Sequence, residues 1–256
     1  ALVSYRNKGL ASKQEGAYTW YPIAVSEEHA LRAVASGQMT IPSPDGSQVK
    51  LRYERHVEHA DGNWTWIGRV EGGDQKQEAI LTFGEKAVYG SVPQAAGAPV
   101  LSLQTRGGVL WAVVTDPSKV VSPNKGTNEV MVPPALALRA SLASVAAKAQ
   151  VTQKAVAAGA PATAANTIDV AIGYTQGFAT AQGGQSAAVT RLNFLIEVGN
   201  QAFTNSLING YLRIVNTVQV TYADDTANEA ALGQLTGHNG TSSIAVSPAL
   251  VPIRTA

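Results

Sequence analysis

Ile168-Asp169-Val170-Ala171-Ile172-Gly173-Tyr174 places a β-branched or aromatic side chain at every second position, and Leu212-Arg213-Ile214-Val215-Asn216-Thr217-Val218-Gln219-Val220 nearly repeats the pattern. Both read as strands. On the first, Ile168, Val170, Ile172 and Tyr174 share a face, and the small Ala171 and Gly173 opposite them suit burial under a helix. On the second, Leu212, Ile214, Val218, Val220 and Tyr222 are opposed by Arg213, Thr217, Gln219 and Thr221. Between them, residues 177–184 read as a loop, and Ser186 is placed to cap a helix running to about Leu207. Ala188, Leu192, Leu195, Gly199, Ala202 and Phe203 recur at helical spacing and predict one apolar face, with Asn193, Glu197, Asn200 and Asn205 pointing elsewhere. Asn209-Gly210 is a natural end for that helix. A strand, a long helical connection and a second strand predict a right-handed crossover between parallel strands. Beyond it, residues 224–240 read as a polar loop or short helix, and Ser247-Pro248 as the start of another.

Upstream the period changes. Residues 1–121 predict a small antiparallel sheet. A turn at Pro44 and Gly46 follows residues 39–41, and residues 49–59 alternate in part. Asp61-Gly62-Asn63 supplies a hairpin turn, and Trp64-Thr65-Trp66-Ile67 is the return strand. Residues 79–83, 87–92 and 109–115 are further short runs bounded by Gly or Pro. Only residues 27–35 read as helical there. Residues 122–166 differ again. A proline-rich start leads into an Ala-rich stretch with helical propensity, which Gly159 and Pro161 would stop. The overall expectation is α+β: a β-rich unit over 1–121, a linker over 122–166, and an incomplete α/β unit over 167–256.

Composition narrows the function. Charged residues make up 14% of the 256 and apolar residues 45%, which is too apolar for a disordered tail. A net charge of +1 creates no field that would draw the chain to nucleic acid or an anionic membrane. Residues 167–256 hold three Arg, no Lys and five acids, so neither sign forms a block. With no cysteine, disulfides, thiolate metal sites and thiol nucleophiles are excluded. The most apolar stretch, residues 230–253, is broken by Gly and Pro and predicts no membrane span. Ala1 stands where a reading frame would open with Met, which fits either a removed leader or chosen ends.

No Walker loop, dinucleotide-binding glycine pattern or G-x-S-x-G elbow occurs. His56-Val57-Glu58-His59 is the one metal-like cluster. On a strand, His56 and Glu58 would face one side and His59 the other, so a solvated strand end is the expectation rather than a zinc site. His238, between glycines, reads as a loop residue. Trp64, Trp66 and Trp111 could stack on a sugar, but aromatic residues in a small sheet are more often core, and core is the expectation. Asn63-Trp64-Thr65 and Asn239-Gly240-Thr241 fit the glycosylation pattern, which is short enough to arise by chance.

Several stretches together carry a family likeness. Residues 168–175, Gly184-Gln185-Ser186-Ala187-Ala188, Val198-Gly199-Asn200-Gln201-Ala202-Phe203 and Leu212-Arg213-Ile214-Val215 resemble the start of the catalytic domain of bacterial reprolysin-like metallopeptidases, secreted zinc endopeptidases of the metzincin group. Pro44-Asp45-Gly46, Trp64-Thr65-Trp66-Ile67-Gly68, Thr82-Phe83-Gly84 and Thr105-Arg106-Gly107-Gly108 resemble their proregion. The likeness covers most of the chain as many weak matches. The family's H-E-x-x-H-x-x-G-x-x-H motif supplies three zinc ligands and the general base. It does not occur in these residues, so no catalytic or zinc-binding residue carries over.

The resemblance implies a secreted or periplasmic zymogen part. Its zinc and protein substrates would belong to the complete enzyme, and its partner would be the remaining C-terminal part of the catalytic domain. It also implies latency. Glu71-Gly72-Gly73-Asp74 loosely resembles an astacin-type inhibitory motif with an extra Gly, which makes Asp74 the weak inhibitory candidate. Arg139, Lys148 and Lys154 mark the linker as the easiest place for activating cleavage. Two other readings compete: a stand-alone binding or inhibitory β module, and a secreted sheet domain that binds carbohydrate.

Overall fold

The computed structural model describes residues 1–5, 11–73, 77–94, 98–120 and 162–256. Most of the linker, with Arg139, Lys148 and Lys154, and the candidate Asp74 lie outside the described residues.

The amino-terminal half is a nine-stranded antiparallel sheet with the spatial order β2-β3-β11-β10-β9-β8-β7-β6-β5. Its strands are β2 (Lys13–Glu15), β3 (Tyr18–Pro22), β5 (Gln38–Pro42), β6 (Gln48–Glu58), β7 (Trp64–Val70), β8 (Glu78–Phe83), β9 (Val88–Val92), β10 (Leu101–Arg106) and β11 (Val109–Thr115). From β5 to β11 every strand pairs with its neighbour in sequence, as short turns dictate. A separate two-stranded ladder joins β1 (Val3–Ser4) to β4 (Ala24–Val25). The turns fall where the sequence puts them. Gly46 and Gly62 take left-handed φ values of 88° and 84°, which their lack of a Cβ permits.

One face of the sheet is a continuous core. Leu51, Trp66, Leu81, Phe83, Leu101 and Leu103 pack there with Leu2, Val3 and Ile23. Ala30 and Ala33 of helix α1 (Glu27–Ser36) join the same core. Helix α1 ends at Gly37, whose left-handed backbone returns an N–H to the Ala33 carbonyl. Trp64 stacks on Phe83 at a centroid distance of 4.7 Å, and Trp66 is fully buried. Trp111 belongs to a different cluster with Trp20 and Val113, so the three tryptophans form no shared platform, and Trp66 and Trp111 are core as expected.

All six residues of β8 are buried, although a half-exposed strand should alternate. Ala79, Leu81 and Phe83 enter the inner core. Ile80, on the other face, meets residues of the carboxy-terminal half. That half begins with β12 (Thr167–Thr175), followed by α2 (Gln176–Gln182), α3 (Gln185–Asn205) and β13 (Tyr211–Val220). Strands β12 and β13 pair in parallel, as the crossover requires. Next come α4 (Asn228–Thr236), a 3-10 turn (Pro248–Leu250) and α5 (Val251–Arg254). Ile253 lies against the small Gly173, where a Cβ would sit 2.0 Å from Ile253 Cδ1. Among the described residues, no helix is long and apolar enough to cross a membrane.

Four local expectations are corrected. Residues 176–182 are helical, because the Thr175 hydroxyl accepts from the Phe178 N–H and caps the turn. Helix α3 starts after Gly184 (φ 125°), so Ser186 lies inside it. It ends at Asn205, and Leu207, at φ 57°, makes the left-handed turn expected of Asn209-Gly210. Finally, β13 is irregular. Val170 pairs with Ile214 but Ala171 with Asn216, leaving Val215 as an extra residue. Past that point Thr217 and Gln219 lie beside Ile172 and Tyr174, and Val218 and Val220 beside Gly173 and Thr175.

Candidate functional site

Helix α3 lies between two partners. Ala188 and Leu192 pack with Tyr174 and Ala179, and with the half-buried Ile172 and Ile214. Ala187 and Phe194 pack with Ile67, Ile80, Ala87 and Tyr89 on the outer face of the β domain. A single apolar stripe cannot serve both sides, and the buried set includes Thr190, Asn193, Glu197, Asn200 and Gln201. Asn193, Glu197 and Asn200, expected to point elsewhere than the apolar face, are buried as well. Leu195, predicted on the buried face, is 45% exposed.

Four of the five buried polar side chains on α3 are matched to defined partners, as burial demands. Asn193 Nδ2 donates to Asp61 Oδ2 at 2.6 Å, and Thr190 Oγ1 to Asn63 Oδ1 at 3.3 Å. Arg55 Nη2 donates to Gln201 Oε1 at 3.2 Å. Asn200 holds both backbone groups of Leu212, accepting from its N–H at 2.7 Å and donating to its carbonyl at 3.0 Å. The contact continues at α2. Gly107 N–H donates to the Ala181 carbonyl at 3.0 Å, and the Tyr89 hydroxyl donates to Gln182 Oε1 at 2.7 Å. Two glycines permit the approach. A Cβ on Gly84 would lie 2.1 Å from Thr190 Oγ1, and one on Gly183 would lie 2.4 Å from Gly108 N.

A cleft of about 630 Å³ opens beside this contact. The turn from Glu58 to Asp61 forms one wall, Asn193, Ile196 and Glu197 of α3 a second, and residues 211–217 a third. Glu197 is 1% exposed. Its Oε1 lies 3.3 Å from Asn200 Nδ2 and 3.5 Å from the Tyr211 hydroxyl, while its Oε2 has no hydrogen-bond partner. Burial pushes its carboxyl above the usual range, against the pull of the nearby Arg55 charge and the two hydrogen bonds. The Tyr211 hydroxyl is pushed up to about 12, by its own burial first and then by Glu197.

A carboxyl with a raised folded pKa binds its proton more tightly in the native state. The native state then loses stability as pH rises from the unfolded value, near ~4.3, through the raised one. Glu197→Gln is expected to flatten that fall, giving a variant less sensitive than the parent as pH rises above the ordinary carboxylate range. Urea midpoints along a pH series measure it; parallel shifts in both proteins would contradict it.

The histidines do not converge. His56 Nδ1 lies 2.6 Å from the Tyr53 hydroxyl on an exposed position, and His59 Nε2 lies 2.9 Å from Thr65 Oγ1. Burial lowers the His59 pKa, which favours the neutral ring. His238 Nδ1 accepts from the Gly240 N–H within its own loop. Among the described residues, no group of three or more His, Asp or Glu could hold a metal ion. These residues therefore do not fit the zinc of a peptidase. Sequence periodicity missed the buried polar row on α3. Thr190, Asn193, Glu197, Asn200 and Gln201 recur at helical spacing and so share a side of the helix, but spacing does not tell a buried polar side from a solvated one.

Comparison with known proteins divides the chain in two. Residues 164–250 match the family model described as Metallo-peptidase family M12B Reprolysin-like. Residues 7–116 match one described as BamI lipocalin-like domain. No curated protein matches, and no solved structure matches. The carboxy-terminal segment is thus similar to a reprolysin-like metallopeptidase region, and the amino-terminal one to a different, β-rich domain. The upstream likeness to a proregion is not what the second match describes.

Proposed function

We propose that the chain joins a lipocalin-like β domain to the amino-terminal part of a reprolysin-like zinc endopeptidase, and that the β domain serves as its folding platform and latency element. The supporting observation is the burial of α3 on the outer face of β8 and β9. Three upstream stretches that carried the proregion likeness make this contact. Ile67 lies under α3, Gly84 faces Thr190, and the Gly107-Gly108 turn meets Ala181 and Gly183. The zinc ligands and general base would come from a further C-terminal segment of the catalytic domain, and the complete enzyme would act on protein substrates outside the cytoplasm. In this reading the units are 1–121, 122–166 and 167–256, and Asp74 remains the inhibitory candidate.

The reading frame after Ala256 tests the enzymatic half. An H-E-x-x-H in frame, with zinc bound and casein cleaved by the extended protein, is the expected result. An extended protein with no such motif and no zinc removes it. Asp74→Ala should raise the basal activity of that extended protein about tenfold; an unchanged basal rate eliminates Asp74 as the blocker.

A second reading has its own support. The β domain has a complete core and a lipocalin-like match that ends before the linker, so it could act alone as a binding or inhibitory module. Residues 1–120 that fold alone and leave residues 162–256 equally protected from proteolysis when separated would favour this alternative.

A further inference from the structure

The cleft beside α3 is bordered by seven consecutive residues of β13, 211–217. Consecutive side chains of a strand point to opposite faces, so a cleft that meets all of them runs along the strand edge. Strand β13 pairs with β12 on one side only; among the described residues no strand occupies the other. The N–H and C=O of one strand residue point the same way, and both of those of Leu212 are taken by the Asn200 side chain rather than by β12. Asn200 thus stands where the first residue of an added strand would stand. The bulge at Val215 interrupts the ladder a few residues on, and pairing with β12 resumes at Asn216.

The walls carry a charge preference. Asp61 is engaged by Asn193 and by the Asn63 N–H, and Arg213 is held by both Asp169 oxygens at 2.7 and 3.0 Å. Arg55 donates to Gln201, and its charge acts on Glu197 from nearby without a hydrogen bond to Oε2. What remains is Glu58 at the exposed rim and, among the lining residues, the buried Glu197, whose Oε2 lacks a partner. A buried carboxyl oxygen with no donor favours a ligand that brings one.

We propose that this cleft is a peptide-docking site. An extended segment of a partner protein adds to the edge of β13 beyond Leu212 by backbone hydrogen bonds and places one Lys or Arg side chain toward Glu197. The volume lies within the roughly 300–1,000 Å³ typical of ligand clefts, enough for a short strand. Strand addition draws affinity from the main chain and selectivity from the side-chain pocket. The site uses no zinc and stands whether or not the peptidase reading does.

The test uses the 256-residue chain and fluorescent, acetylated and amidated pentapeptide pools of Val and Thr, with Arg, norleucine or Glu fixed at the centre. The Arg pool is expected to bind with an anisotropy change, the norleucine pool about tenfold more weakly, and the Glu pool more weakly still. N-methylation of alternate amides in the Arg pool should abolish binding, and bound peptide should slow amide exchange at residues 213–217. Glu197→Gln, with circular dichroism confirming its fold, should remove most of the Arg preference; Glu58→Gln, at the rim, should remove less. No binding of the Arg pool up to millimolar concentration overturns the proposal. So does binding that ignores the central residue, tolerates N-methylation or is unchanged in Glu197→Gln.

Discussion

Replacing Phe194 with alanine is expected to detach residues 162–256 from the β domain while leaving that domain folded. Phe194 is 6% exposed and is the largest apolar side chain that α3 sends into the contact. Its ring lies 6.3 Å from that of Tyr89, and the Arg191 guanidinium sits 5.2 Å from both centroids. The substitution removes the ring, the aromatic pair and one of the two cation–π contacts. Phe-to-Ala changes at buried sites cost about 3–5 kcal/mol. The rest of the contact is mostly polar and would be left to hold an interface that water can enter. Hydrogen exchange is the direct measurement: amides of residues 185–205 should lose protection, while those of β7 to β9 keep theirs. If α3 stays as protected as in the parent, Phe194 is not the anchor.

The sequence revealed the elements better than it revealed what lies between them. Glycine and proline punctuation located most strands of the sheet, because a meander needs a turn at each reversal and only certain residues make one cheaply. It passed over β2, β3 and β10, although Leu101, Leu103 and Thr105 alternate with Ser102, Gln104 and Arg106. The parallel pairing of β12 and β13 followed from the length of their connection. The faces of α3 did not follow. Periodicity reports how many sides of a helix are apolar, and this helix is covered on two sides by unlike surfaces. One accepts Leu192; the other needs Asn193 for Asp61 and Thr190 for Asn63. A polar side chain facing a specific partner cannot be told by spacing from one facing water. The same blindness hid the cleft. Glu197 reads as an ordinary helix acid until Tyr211 of β13 closes over it beside Asn200, one turn along the same helix. The bulge at Val215 was equally silent, since Ile214-Val215-Asn216 has no glycine to mark it.

Trp66→Ala should have the wider effect, and the comparison with Phe194→Ala separates a platform from a mere neighbour. Trp66 is fully buried, 6.0 Å from Tyr53, and its ring fills the space a Cβ on Gly68 would need, at 2.2 Å. No smaller side chain at position 66 fills that volume, so the cavity adds to the lost transfer energy, for a cost of about 3–5 kcal/mol to the β domain. Ile67, the next residue, faces α3 from the other side of the same strand. Loosening β7 therefore disturbs both faces together. The expected outcome is a lower urea midpoint for the β domain and, in the same variant, faster exchange throughout residues 185–205. Phe194→Ala should show the second effect without the first. That asymmetry would mean that the β domain folds on its own account and the metallopeptidase-like segment folds on it. Undiminished protection of α3 in Trp66→Ala would mean the reverse, and the sheet could no longer be called the support of the helix above it.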